Sequence, residues 1–169
     1  MEYLIIDGYN VINAWGHVFD LKRDSLEDCR MKLLSYLSNY QGFRKNNIIV
    51  VFDAHLVKKS LLKIEKFDNV TVVFTKENET ADNYIERFVY QLGGTHVIKV
   101  VTSDYLEQTI IMSSGGIRMA PRELWDEIGT AVKNMKDGFI EVPDKSNTLA
   151  SHMKPEQREI LEKIRRGKF

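Results

Sequence analysis

One cysteine, Cys29, stands in a chain of 169 residues. An internal disulfide and a cysteine-held metal cluster are therefore both excluded, and its place in an amphipathic pattern makes Cys29 a buried thiol rather than a nucleophile. Apolar runs are short, and none nears the roughly 20 residues that a membrane span needs. The opening residues show no basic segment followed by an apolar core, the mark of a secretory signal, so a cytoplasmic, membrane-free protein is expected. Neither sign of charge is in excess, with 24 basic against 24 acidic side chains. A general nucleic-acid binder is usually strongly basic, so binding of that kind would need a locally basic face. No Gly-x-Gly-x-x-Gly run occurs, and no Lys-Ser/Thr pair follows Gly93 and Gly94, which leaves a nucleotide cofactor without support. Internal repeats of solenoid type are missing as well.

What is present is an alternation of apolar strands and amphipathic helices, in a chain that is 43% hydrophobic and 28% charged. Those proportions suit one soluble domain with a well-buried core. Strands are expected at 1–7, 47–52, 70–75 and 96–103, with a short edge strand at 117–120. Helices are expected at 25–41, closed by Gly42, then from a Thr80 cap to Leu92, at 105–112, and from Pro121 to about Lys136. Ser25 with Asp28 forms a capping pair. The stretch from 8 to 24, with Trp15, His17 and Phe19, reads as a linker folded back over the first strand, and 61–67 as weakly helical or irregular. Strands alternating with helices imply a mostly parallel sheet with right-handed crossovers, hence a three-layer α/β/α domain over 1–140. Residues 141–169 read as a linker followed by a basic C-terminal helix.

The strongest functional signal is a repeated ending. The runs Leu4-Ile5-Ile6, Val50-Val51-Phe52 and Val100-Val101-Thr102-Ser103 close on Asp7, Asp53 and Asp104. Asp82 lies in the first turn of a helix that should open on the same edge, where ligands bind in open α/β sheets. A lone Asp after a strand is ordinarily a cap or turn former, and Asp104 has a helix to cap. Asp82 has less need of that role, since Thr80 already offers the cap. Several carboxylates in one place repel one another unless a cation intervenes, and oxygen donors without His or Cys suit Mg²⁺ or Mn²⁺. One or two such ions can activate water and stabilise a leaving oxygen in phosphodiester cleavage. Asn10, three residues after Asp7, can orient water or phosphate. His55 beside Asp53 reads as a surface imidazole.

The runs Leu4-Ile5-Ile6-Asp7-Gly8-Tyr9-Asn10 and Val51-Phe52-Asp53-Ala54-His55, the Glu79-Thr80-Ala81-Asp82 signature and Thr102-Ser103-Asp104 together resemble the YacP-type NYN domain of the PIN-like nuclease group. The match covers about Met1 to Lys136. It implies a PIN-like α/β/α fold and Mg²⁺- or Mn²⁺-dependent hydrolysis of RNA, with mRNA in the ribosomal A site as the substrate of a closely matching, ribosome-associated group within the family. By position, Asp7, Asp82 and Asp104 match the family's metal-binding acids, and Asn10 and Asp53 its auxiliary polar positions, with Glu79 a further one. The ribosome is a fitting partner for a chain of zero net charge, because a platform that presents the RNA offsets weak affinity for free strands. A monomer is the favoured state. Two other readings stay open: a non-enzymatic adaptor with a structural cation, and a nuclease directed at DNA. A dehalogenase-like phosphohydrolase fails, because Tyr9 stands where its second acid would be.

Overall fold

The apolar runs become strands and the periodic stretches helices, in the order β1 (Glu2–Asp7), α1 (Gly8–Ala14), α2 (Leu26–Arg44), β2 (Asn47–Phe52), β3 (Lys63–Phe67), β4 (Val70–Phe74), α3 (Ala81–Leu92), β5 (Val97–Val101), α4 (Tyr105–Ser113), β6 (Ile117–Met119) and α5 (Pro121–Ile140). This computed structural model describes residues 1–55 and 57–140. The expected linker and basic helix at 141–169 lie outside the described residues. Among the described residues, no helix is long and apolar enough to cross a membrane.

Six strands form one sheet in the order β3-β4-β2-β1-β5-β6. All pairings are parallel except β3 with β4. Successive side chains of a strand point to opposite faces, and the central strands are apolar on both. Leu4, Ile6, Ile48, Val50 and Phe52 join a core built with α1, α2 and α5. Ile5, Ile49, Val51, Val73 and Val100 join a second core with α3 and α4. The result is the expected three-layer α/β/α domain. From β1 the chain moves to β2 and then β4, whereas α3 carries it back past β1 to β5. The direction of travel thus reverses at β1, and Asp7 ends that strand.

Three stretches differ from the sequence reading. The linker after Asp7 begins with a helix: α1 starts at Gly8, and Asp7 at its cap position makes no side-chain cap bond, while Gly8 reads as a turn residue rather than a helix start. A Cβ on Gly8 would clash with the Phe52 ring, so only glycine lets α1 begin this close to β2. Trp15 and Phe19 are buried in the core beyond it, and the Trp15 Nε1–H donates to the Pro121 carbonyl at 2.9 Å. Second, α2 runs through Gly42 to Arg44 and stops at Lys45, which is left-handed at φ 58°. One glycine costs a helix about 1 kcal/mol, too little to end a helix whose Cys29, Leu33, Leu37 and Tyr40 are all buried. Third, residues read as irregular form β3, an exposed edge strand turned back on β4 through Asp68 at φ 54°. Its charged side chains hide the strand pattern while guarding the edge.

The expected caps hold. Ser25 Oγ accepts from the Asp28 amide at 3.1 Å, and Thr80 Oγ1 from the Asn83 amide at the same distance.

Candidate metal centre

Asp7 closes β1, Asp82 occupies the first turn of α3, and Glu107 the first turn of α4. One carboxylate oxygen from each lies within 4.8 Å of the other two. Asp7 shares the strand face of Ile5, the face covered by α3 and α4, which explains the encounter. At the start of α3, the Thr80 hydroxyl caps the Asn83 amide, so the Asp82 carboxylate is not needed as the cap. At the start of α4, Asp104 caps instead: its Oδ1 accepts from the amides of Leu106 and Glu107 at 3.0 and 3.3 Å. Glu107 is then free to turn inward.

Glu107 is 2% exposed. Its Oε2 accepts from the Thr102 hydroxyl at 2.8 Å, and its Oε1 is buried with no hydrogen-bond partner. A buried acceptor left unpaired is costly, so this oxygen is suited to a ligand. Burial, followed by the charges of Asp82 and Asp53, pushes the Asp7 carboxyl up from 3.8 to about 7. Burial also drives Glu107 from 4.5 to about 9, against the lowering effect of Thr102 and with the charges of Asp82 and Asp7 adding to the rise. Carboxyls that resist ionising together are stabilised as anions by a cation. Three oxygen donors without nitrogen or sulfur fit a hard divalent ion such as Mg²⁺ or Mn²⁺.

The other expected site residues take different places. Asp104 is the cap just described and is not one of the three grouped acids; Glu107, one turn on, is the residue the sequence reading missed. Its spacing from Asp104 reads as an ordinary capping box, in which the glutamate serves only the helix end. Asn10 Oδ1 accepts from both the amide and the hydroxyl of Ser103, at 2.8 and 3.0 Å, and so ties α1 to the loop between β5 and α4. Asp53 spans a similar gap. Its Oδ1 bonds the His55 amide and ring, and its Oδ2 accepts from the Ala81 amide at 3.3 Å, fixing the start of α3 and therefore Asp82. Burial raises Asp53, but these bonds outweigh it and hold the carboxyl below its ordinary value. His55 is thus a partner of Asp53 rather than a free surface imidazole. Glu79 is buried and paired with Arg87 at 2.6 Å, and is not one of the three grouped acids.

A mostly parallel α/β sheet whose reversal point gathers three carboxylates from separate elements offers oxygen donors suited to a divalent ion. The model of the YacP-like NYN domain matches residues 4–166, and the chain belongs to that family. It is 40% identical to the protein named YacP of Bacillus subtilis (strain 168), over 99% of this chain and 98% of the other. It is also similar to the crystal structure of Rae1 (YacP) from Bacillus subtilis, with a TM-score of 0.73, 38% identity and coverage of 99% and 96% of the two chains. A point mutant of that protein gives a TM-score of 0.71 at 37% identity, covering 98% and 96%. Membership of the NYN domain family makes the protein a nuclease.

Proposed function

We propose that the protein is a Mg²⁺- or Mn²⁺-dependent endoribonuclease that hydrolyses mRNA in association with the translating ribosome. The observation that carries this reading is the convergence of Asp7, Asp82 and Glu107, with a buried Glu107 oxygen that has no hydrogen-bond partner. When bound there, a divalent ion would polarise the phosphoryl group and lower the pKa of attacking water. Asp7, Asp82 and Glu107 supply the anionic donors. Thr102 orients Glu107, Asp53 holds the α3 turn that carries Asp82, and Asn10 holds Ser103 at the mouth of the site. Attack by water rather than by the 2′-hydroxyl leaves a 5′-phosphate and a 3′-hydroxyl.

The ribosome enters through charge. A chain with 24 cations and 24 anions and an acidic pocket gains little from counterion release on free RNA, and a platform that presents the strand overcomes that weakness. Cleavage of a translated message, of the same message naked, and of single-stranded DNA should be compared in Mg²⁺. The expected order is translated message first, naked RNA far behind, and DNA uncut. Asp7→Asn should lose cleavage of both RNAs while keeping its fold. Equal cutting of naked and translated RNA would remove the ribosome from the reading, and a fully active, folded Asp7→Asn protein would remove the metal centre.

A further inference from the structure

The carboxyl edge of the sheet holds a second group of polar side chains, on the face opposite the acids. Tyr9 is two residues beyond Asp7, and its ring lies 5.1 Å from that of Phe52, which packs in turn at 5.6 Å on Phe74. Phe52 and Phe74 are the last residues of β2 and β4 and pair in register. Over this aromatic row sits Arg30 of α2. One of its guanidinium nitrogens donates to the Tyr9 hydroxyl at 3.0 Å, and its carbon is 5.9 Å from the Phe74 ring centre. Among the described residues, Arg30 makes no ion pair. Its partners are a phenol oxygen and a ring face, neither of which neutralises it.

Resting on the nuclease reading above, we infer that Arg30 and Tyr9 form a phosphate-binding subsite for the RNA strand that enters the metal centre. The Tyr9 oxygen accepts from Arg30, which leaves its own proton to donate. Arg30 keeps further N–H donors in the planar fork that suits phosphate. The two contacts hold the guanidinium in place beforehand, so little side-chain freedom is lost on binding. The position fits a strand draped across the sheet edge: β4 is two strands from β1, about 10 Å at the usual strand spacing, within reach of a neighbouring phosphate. Lys63 also lies near Phe74, but Glu65 pairs with it at 2.6 Å, and it is the weaker candidate.

The test is binding of a short fluorescent single-stranded RNA to the cleavage-dead Asp7→Asn protein, titrated against potassium chloride. Arg30→Gln in that background should weaken binding about tenfold and lower the slope of log K against log salt by about 0.7, the share of one phosphate on a single strand. Arg30→Lys should keep the slope while losing part of the affinity. Tyr9→Phe should weaken binding about threefold with the slope unchanged. A merely structural role for Arg30 would leave the slope intact in Arg30→Gln, and that result overturns the subsite. Failure of the Asp7→Asn parent to bind the free RNA even at low salt overturns the subsite, whereas the nuclease reading falls only if the unaltered protein leaves translated message uncut. Binding by the parent with Arg30→Gln indistinguishable from it removes only the subsite.

Discussion

The starts of α3 and α4 solve the same problem with different residues. Each must satisfy free amides of its first turn and also deliver a carboxylate to Asp7. In α3 the hydroxyl of Thr80 takes the Asn83 amide, Asp53 takes that of Ala81, and the acid two positions beyond Thr80, Asp82, joins Asp7. In α4 an acid, Asp104, takes the amides, and the acid three positions on, Glu107, goes to the pocket. The side chain that caps a helix and the acid that reaches the site are therefore different residues at both helix starts. The comparison assigns the chemistry to whichever acid is not needed by the helix.

Removing the inward acid is the most damaging way to probe that difference. Glu107→Gln and Asp82→Asn should each lower kcat about a thousandfold or more, the scale of charge stabilisation a metal supplies, with the melting temperature held or raised. For Glu107 the rise has a cause: a neutral amide no longer suffers the burial that drives this carboxyl to about 9. Cleavage rates in saturating Mn²⁺ beside a thermal melt would decide. If Glu107→Gln cut RNA at nearly the normal rate, α4 would supply the centre through some other group, and the parallel with α3 would break.

A second expectation concerns pH and the ion together. The Asp7 carboxyl stands at about 7 in the fold against 3.8 ordinarily, and Glu107 at about 9 against 4.5. Each binds more protons in the folded than in the unfolded chain between those values. Their contribution is fully present below the ordinary value and is lost as pH rises through the folded one. In a chelator the melting temperature should fall from about pH 4 toward pH 9, with the Asp7 share gone by about 7. Mn²⁺ binds the deprotonated acids, so the stabilisation it gives should grow over the same interval. Asp7→Asn should flatten the lower part of the chelator curve. A chelator curve that is flat across this range in the unaltered protein would contradict the crowding of the acids.

Much of this was legible beforehand, for identifiable reasons. Strands covered on both faces are apolar throughout, so β1, β2, β4 and β5 stand out as continuous runs. Thr80 and Ser25 advertise their helices by side chains that bond the first-turn amides. The hidden elements lack those signals. α1 has no side-chain cap bond, and β3 carries Lys63, Glu65 and Lys66 on an exposed edge. In the site, the meeting of Asp7 and Asp82 is readable from the sequence because strand ends and helix starts share an edge in this architecture. Glu107 was missed because its inward turn depends on the Thr102 hydroxyl and on Asp104 having taken the cap. Both are side-chain contacts that spacing does not encode.

The smallest effect is expected at Asp104, and it separates a cap from a ligand. An Asn accepts first-turn amides about as well as Asp, whereas Ala does not. Asp104→Ala should therefore cost about 1 kcal/mol of stability, with a modest fall in cleavage as the α4 turn loosens around Glu107. Asp104→Asn should stay within a few tenths of a kcal/mol and close to normal in rate. Removal of the charge shifts the balance slightly, because Asp104 also favours the positive end of the helix dipole. If Asp104 held the ion, the order would differ: Asn and Ala would abolish cleavage alike, and metal affinity would drop in both. Activity that follows the capping ability of the side chain, rather than its charge, places Asp104 in support of Glu107, as Asp53 supports Asp82 through the Ala81 amide.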